Sequence, residues 1–311
     1  MSDALFGGGS EAMRDGDADS MASISLICVR DAQIYENLPW LGSLVRDIPG
    51  VGEKSKRFRA IEKGSSIKDL FYWLSNEDGS KKENPSKHLV VPDFAIVAGS
   101  DTTATVLTNI VYCLLTHPEI YARLQDEIDR FYPPEADTFD SKHLRQMHYL
   151  DAVINETMRL YPVVQGGSQR APERGTGGFA AGQHFIPEWT SIRVPTWCLH
   201  RDPRNFVRPL AWVPERWLVA DGRAPASALG LAAGEDFVHS AAAYVPFSCG
   251  PRNCVGKNLA LLEMKLVLAH MLQNVRLRFW HEFDPSNWEA AMQDRSNLIV
   301  PELPLIVDRR S

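Results

Sequence analysis

The spacing of apolar residues shifts along the chain, and each shift predicts a different kind of element. From about Ile24 to Leu74 the pattern is amphipathic, punctuated by Pro39 and by Pro49-Gly50. The stretch from Asn76 to Ser86 is polar and reads as loop. From Leu89 to Leu115 apolar residues fall on several sides of a helical wheel, which predicts a long helix buried over most of its surface. Thr116-His117-Pro118-Glu119 predicts a new helix start, with a hydroxyl cap at Thr116, a proline in the first turn and an acid three positions on. That helix should reach about Tyr132 and stop at Pro133-Pro134, and another should run from about Leu144 to Leu160, ended by Pro162. The period then shortens. Gln183 to Trp197 predicts short strands with a turn near Pro187, and prolines punctuate the chain as far as Pro251. Leu259 to Leu272 predicts a last helix, and Val275 to Trp280 and Leu298 to Val307 are strand-like. There is no internal repeat. The expected fold class is mainly α with small β-sheets.

Composition narrows the function. With 311 residues, 44% hydrophobic and 23% charged, the chain can build a sizeable core. Residues 1–20 depart from this: Gly7-Gly8-Gly9-Ser10 and five acids (Asp3, Glu11, Asp15, Asp17, Asp19) face a single Arg14. They are expected to form a disordered acidic tail, leaving 21–311 as a single domain. A net charge of -6, with no basic run interleaved with aromatics, argues against nucleic acid as a partner. Cys28, Cys113, Cys198, Cys249 and Cys254 are too few and scattered for a disulfide framework, which points to an intracellular, reducing compartment. No apolar run approaches the roughly 18 residues of a transmembrane segment. Gly50-Val51-Gly52-Glu53-Lys54-Ser55 lacks the third glycine of one phosphate-binding motif and the Gly-Lys-Ser/Thr of the other, and the nine histidines show no zinc-ligand spacing.

Three motifs carry candidate chemistry. The first is Phe247-Ser248-Cys249-Gly250-Pro251-Arg252-Asn253-Cys254-Val255-Gly256. A thiolate just before an apolar helix sits at the positive end of the helix dipole, which favours ionisation. Gly250 and Gly256 would let the backbone approach something flat and bulky. A lone cysteine in a turn is more often a packed one, but F-x-x-G-x-R-x-C-x-G fixes five positions, and a chain of this length should show it by chance only about once in ten thousand. The second motif is Ala98-Gly99-Ser100-Asp101-Thr102-Thr103, inside the long helix. Ala98 and Gly99 would leave room for a ligand, Thr102 can bond back to the Ala98 carbonyl, and an acid beside an alcohol makes a short proton path. The third is Glu156-Thr157-Met158-Arg159, an i, i+3 pair of a kind that is usually a solvated salt bridge. Glu11 with Arg14 and Glu127 with Arg130 satisfy the same pattern, but only the copy at Glu156 lies in an apolar helix followed by Leu160-Tyr161-Pro162.

Taken in this order, the motifs resemble those of the cytochrome P-450 family. The resemblance implies that Cys254 is the proximal thiolate ligand of haem b, that Arg252 holds a propionate, and that Phe247 shields the sulfur. It assigns proton delivery to Asp101 and Thr102, with Ala98 and Gly99 making the oxygen groove. It gives Glu156, Arg159 and Arg216 a structural role, the last within Trp212-Val213-Pro214-Glu215-Arg216-Trp217, which is similar to the family's P-E-R-F segment. Arg170 resembles the arginine that reaches the other propionate. His200-Arg201-Asp202-Pro203 resembles the family's H-R-D-P turn, although it reads equally well as an ordinary Asp-Pro turn. Cys249 is read as packing.

The activity implied is a haem-thiolate monooxygenase that inserts one atom of O2 into a lipophilic substrate. Electrons would come from NADPH through NADPH-cytochrome reductase, at the endoplasmic reticulum membrane. The texture of Phe94 to Leu114 and Val213 to Leu218 looks most like a fungal microsomal member. The resemblance is firm from about His88 onward, so the chain is expected to be an N-terminally truncated form. A catalytically silent fragment that binds no haem is the alternative, and a haem-binding, non-oxygenating protein a third. One departure is local: in Ile186-Pro187-Glu188-Trp189-Thr190, the family usually has glycine where Trp189 stands, and a turn needing positive φ would be strained there.

Overall fold

The computed structural model describes residues 85–310 except residue 233, with side chains from residue 98 onward. The expected acidic tail, the amphipathic stretch from Ile24 to Leu74 and the loop before Pro85 lie outside the described residues. The chain divides into two compact units, Met1–Ala104 and Thr105–Ser311, each of which is taken by itself.

Helix α1 (Pro85–Thr116) is the long helix that the apolar spacing predicts. The hydroxyl cap expected at Thr116 is not made. Thr116 is the last residue of α1, and its Oγ1 lies 3.0 Å from the carbonyls of both Tyr112 and Cys113, closing the helix it belongs to. α2 (Pro118–Phe131) therefore begins on the proline, whose missing N–H needs no partner in the first turn. A short 3-10 turn, Ser141–His143, precedes α3 (His148–Leu160).

The start of α3 is secured from outside the helix. The Glu127 side chain of α2 accepts the N–H groups of Tyr149 at 3.0 Å and Leu150 at 2.8 Å. Glu127 is only 8% exposed, so this copy of the acid–base pattern is not a solvated surface pair. Burial pushes its carboxyl pKa up, partly offset by those two backbone donors.

After α3 the chain becomes irregular, with short helices α4 (Thr196–His200) and α5 (Glu215–Ala220) and then a long helix, α6 (Lys257–Asn274). A last short helix, α7, covers Trp288–Ala291. Among the described residues the strands form three antiparallel pairs: β1 (Gly178–Ala181) with β2 (His184–Pro187), β3 (Val275–Phe279) with β6 (Leu305–Arg309), and β4 (Gln293–Arg295) with β5 (Asn297–Ile299). The fold is mainly α with small β-sheets.

The core of the second unit forms where α1, α2, α3 and α6 bring their apolar stripes together. Ile110 and Leu114, Leu124 and Ile128, Leu150 and Ile154, and Leu268 and Leu272 are i, i+4 pairs with at most 2% exposure. Each such side chain contributes about 1.5–3 kcal/mol by leaving water. After β2, Trp189 stands at φ 68 and is 77% exposed, with the Arg174 guanidinium 4.9 Å from its ring centroid. The turn Pro187–Thr190 thus does demand a left-handed residue, and tryptophan occupies it.

Candidate functional site

A buried polar cluster is built on α3. Glu156 and Arg159 stand one turn apart with their side chains fully buried, and the side chain of Arg216 is 1% exposed. The Glu156 carboxylate accepts five hydrogen bonds. Oε1 takes Arg159 Nη2 at 2.9 Å, Arg216 Nε at 3.0 Å and the Val213 N–H at 2.8 Å. Oε2 takes Arg159 Nε at 2.9 Å and Trp217 Nε1 at 3.0 Å.

The remaining guanidinium donors turn to backbone. Arg159 Nη1 bonds the carbonyls of His200 at 2.9 Å and Pro209 at 2.7 Å, while Nη2 bonds Ala211 at 2.9 Å. Arg216 Nη1 bonds Val207 at 2.6 Å and Nη2 bonds Arg208 at 3.2 Å. All five donors of Arg159 are occupied, which is the condition under which a buried ion pair offsets its desolvation. The structure thus brings Glu156, Arg159 and Arg216 together, and they clamp the irregular backbone of 200–213 onto α3.

His200 extends the clamp toward the cysteine loop. Its Nε2 accepts the Val245 N–H at 2.9 Å, which leaves Nδ1 to carry the proton and donate to the Arg159 carbonyl at 3.1 Å. Burial lowers its pKa to about 4, so it is neutral at pH 7. From the sequence alone, His200 reads equally well as the family's turn and as an ordinary Asp-Pro turn. The indole donors of Trp212 and Trp217, the former bonding Thr157 Oγ1 at 3.0 Å, are not marked by any motif. The available signal was the apolar setting of each, Leu199 before His200 and Val213 after Trp212.

Two residues beyond Val245 the cysteine loop begins. The Cys254 N–H donates to the Phe247 carbonyl at 2.9 Å, and the Asn253 N–H closes the turn Gly250–Arg252 onto the Gly250 carbonyl at 3.1 Å. Gly250 sits at φ +75, and a Cβ there would meet nothing within 4 Å. A Cβ at Gly256 would meet Cys254 Sγ alone, at 3.8 Å. Space is therefore open beside both glycines. Cys254 is a free, exposed cysteine three residues before α6, Val255 is fully exposed at 103%, and Arg252 is exposed. Cys249, expected to pack, is exposed instead. Arg170 holds an antiparallel bridge to Ile192, and its exposed guanidinium bonds the Gln169 carbonyl at 2.9 Å.

The second candidate motif lies in the first unit. Thr102 Oγ1 donates to the Ala98 carbonyl at 2.6 Å, the back-bond that its position allows. Asp101 is partly buried, as are Ala98 and Gly99. Thr103 is buried, with a hydroxyl that finds no partner among the described residues. Such an orphan is what a bound ligand or ordered water satisfies.

These residues fit a haem. Among the described residues no group of three or more His, Cys, Asp and Glu side chains could hold a metal ion. The open thiol, the uncovered Val255, the space beside Gly250 and Gly256, and the exposed Arg252 guanidinium suit a flat apolar macrocycle with anionic edges.

Known proteins resemble this chain. The family model described as cytochrome P450 matches residues 67–307. The cytochrome P-450 monooxygenase nodW of Hypoxylon pulicicidum is 35% identical over 77% of this chain and 43% of its own length. FCK2 of Fusarium pseudograminearum (strain CS3096), also named a cytochrome P-450 monooxygenase, is 30% identical over 100% of this chain and 56% of its own. The monooxygenase eupD of a Phoma species is 28% identical over 88% of this chain and 98% of its own. The chain spans about half the length of the first two.

Proposed function

The chain belongs to the cytochrome P-450 family, and from that premise we propose that it is a haem-thiolate monooxygenase acting on a lipophilic substrate. The observation that carries this reading is the cysteine loop: an exposed, unpaired Cys254 whose backbone is tied to Phe247 and whose approach is fixed by the buried Glu156–Arg159–Arg216 clamp through His200. Cys254 would ligate the iron, Arg252 and Arg170 would take the propionates, and Phe247 would shield the sulfur. Haem, when bound, supplies the activation of O2. Thr102 holds a hydroxyl proton against the Ala98 carbonyl, and Asp101 beside it is the acid that replenishes it. Electrons would come from NADPH through a reductase at the endoplasmic reticulum. Among the described residues, no helix is long and apolar enough to cross a membrane.

The test is the carbon monoxide difference spectrum of the reduced, haem-supplemented protein, with Cys254→Ser as control. A strongly red-shifted Soret band that disappears in Cys254→Ser is expected of a thiolate ligand. No such band, or one unchanged in the variant, overturns the reading and favours a protein without haem-thiolate chemistry.

A further inference from the structure

The segment that leads into the cysteine loop is tied back at two consecutive residues. The Tyr244 hydroxyl donates to Asn155 Oδ1 at 3.0 Å, and the Val245 N–H donates to His200 Nε2 at 2.9 Å. Asn155 stands on α3 beside Glu156, and His200 is the last residue of α4. His200 is fully buried and is fixed twice to Arg159: its Nδ1 donates to the Arg159 carbonyl at 3.1 Å, and its own carbonyl accepts Arg159 Nη1 at 2.9 Å. The two ties also pack on each other. The Tyr244 ring lies 5.4 Å from the His200 ring and 4.4 Å from that of Trp217, whose indole N–H bonds Glu156.

From Val245 the hold passes into the loop through backbone. The Val245 carbonyl accepts the Ser248 N–H at 3.0 Å, and the Phe247 carbonyl accepts the Cys254 N–H at 2.9 Å. Ser248 stands at φ +61, a left-handed backbone that a non-glycine residue keeps only where its surroundings impose it. Every residue from Ser248 to Val255 is exposed, so packing contributes little to holding the loop and its position is set at its ends.

We infer that Asn155 and His200 are positioning residues for Cys254: they fix the entrance of the loop to the clamp on α3, and with it the place where the sulfur stands. What the placed sulfur serves rests on the haem-thiolate reading; the placement does not. The two residues differ in one testable respect. The Asn155 amide does not titrate, whereas His200 accepts the Val245 N–H only while neutral. Burial lowers the His200 pKa to about 4. The Arg159 guanidinium also opposes its protonation, Glu156 favours it, and the Tyr244 hydroxyl, its pKa pushed up by burial, stays neutral. The tie through His200 is therefore complete at pH 7 and is lost as pH falls through about 4.

Hydrogen exchange of the haem-free full chain tests this, with protection factors read at the Val245 and Cys254 amides. His200→Leu should lower both about tenfold at pH 7, and Asn155→Leu should lower both at every pH. In the parent both should hold above about pH 5 and drop as pH falls through about 4, while the Ile154 amide inside α3 stays protected. His200→Gln, whose Oε1 can accept the Val245 N–H, should keep the protection at pH 7 and abolish the drop in acid. Unchanged protection in His200→Leu and Asn155→Leu, an acid drop that persists in His200→Gln, or loss at Ile154 in step with Cys254 would each overturn the inference. With haem supplied, His200→Leu should weaken the red-shifted Soret band and His200→Gln should retain it; a full band in His200→Leu overturns the inference as well. A parent without that band overturns the haem-thiolate reading alone, and the exchange result still decides the placement.

Discussion

Replacing Glu156 by glutamine removes one charge from the buried clamp and changes little else in shape. The amide oxygen can keep the three donors now on Oε1, which turns the NH2 group toward Arg159 Nε and Trp217 Nε1. Two charge-assisted bonds are lost, at about 1.5–3 kcal/mol each, or about 3–6 kcal/mol together. An independent route gives about 3–5 kcal/mol, the cost of leaving a buried ion without its partner. Glu156→Gln should therefore destabilise the fold by about 4 kcal/mol, a large part of the roughly 5–15 kcal/mol that a domain holds. Urea unfolding followed by tryptophan fluorescence should show the midpoint fall by about 1–2 M. Arg204→Ala breaks a salt bridge to Asp202 in which the arginine is 86% exposed, and it should leave the midpoint where it was. A loss below about 1 kcal/mol for Glu156→Gln would refute the reasoning, because it would mean that water or rearranged carbonyls take over the charge.

Three further outcomes follow from the same geometry. Trp189→Gly should raise stability by about 0.5–1 kcal/mol, since relief of the left-handed strain at φ 68 outweighs an exposed stack on Arg174, and an unchanged or lower urea midpoint would contradict this. His200 is held at a pKa of about 4 against 6.5 when unfolded, so the unfolded chain takes up its proton first as pH falls. Its contribution is complete above about pH 6.5 and is lost between there and pH 4, about 3 kcal/mol in all. Urea midpoints across that window should slope down with acidity, and His200→Gln should flatten the slope. Asp101→Asn should lower turnover by about a hundredfold while haem loading stays at the parent level, and full activity in the variant would remove Asp101 from proton delivery.

What the sequence by itself determined is local. The 3.6-residue period of α2 and α3 marks which side of each helix is apolar, and the cysteine motif is a run of ten residues whose meaning lies in its own spacing. The pairing of Glu156 with Arg159 is local too, at one helical turn. What meets such a side chain from elsewhere is not written in its neighbours. Glu127 with Arg130 has the same spacing as Glu156 with Arg159, yet one acid holds the start of the next helix and the other holds two guanidinium groups. Thr116 could have capped the helix after it, but its hydroxyl bonded the carbonyls already formed before it. His200 reads as an ordinary turn residue until Arg159, 41 positions away, and Val245, 45 positions away, arrive on its two nitrogens. Only the tertiary structure decided these cases, because a polar side chain acquires its role from the donor or acceptor that burial brings to it, and burial is a property of the packed chain.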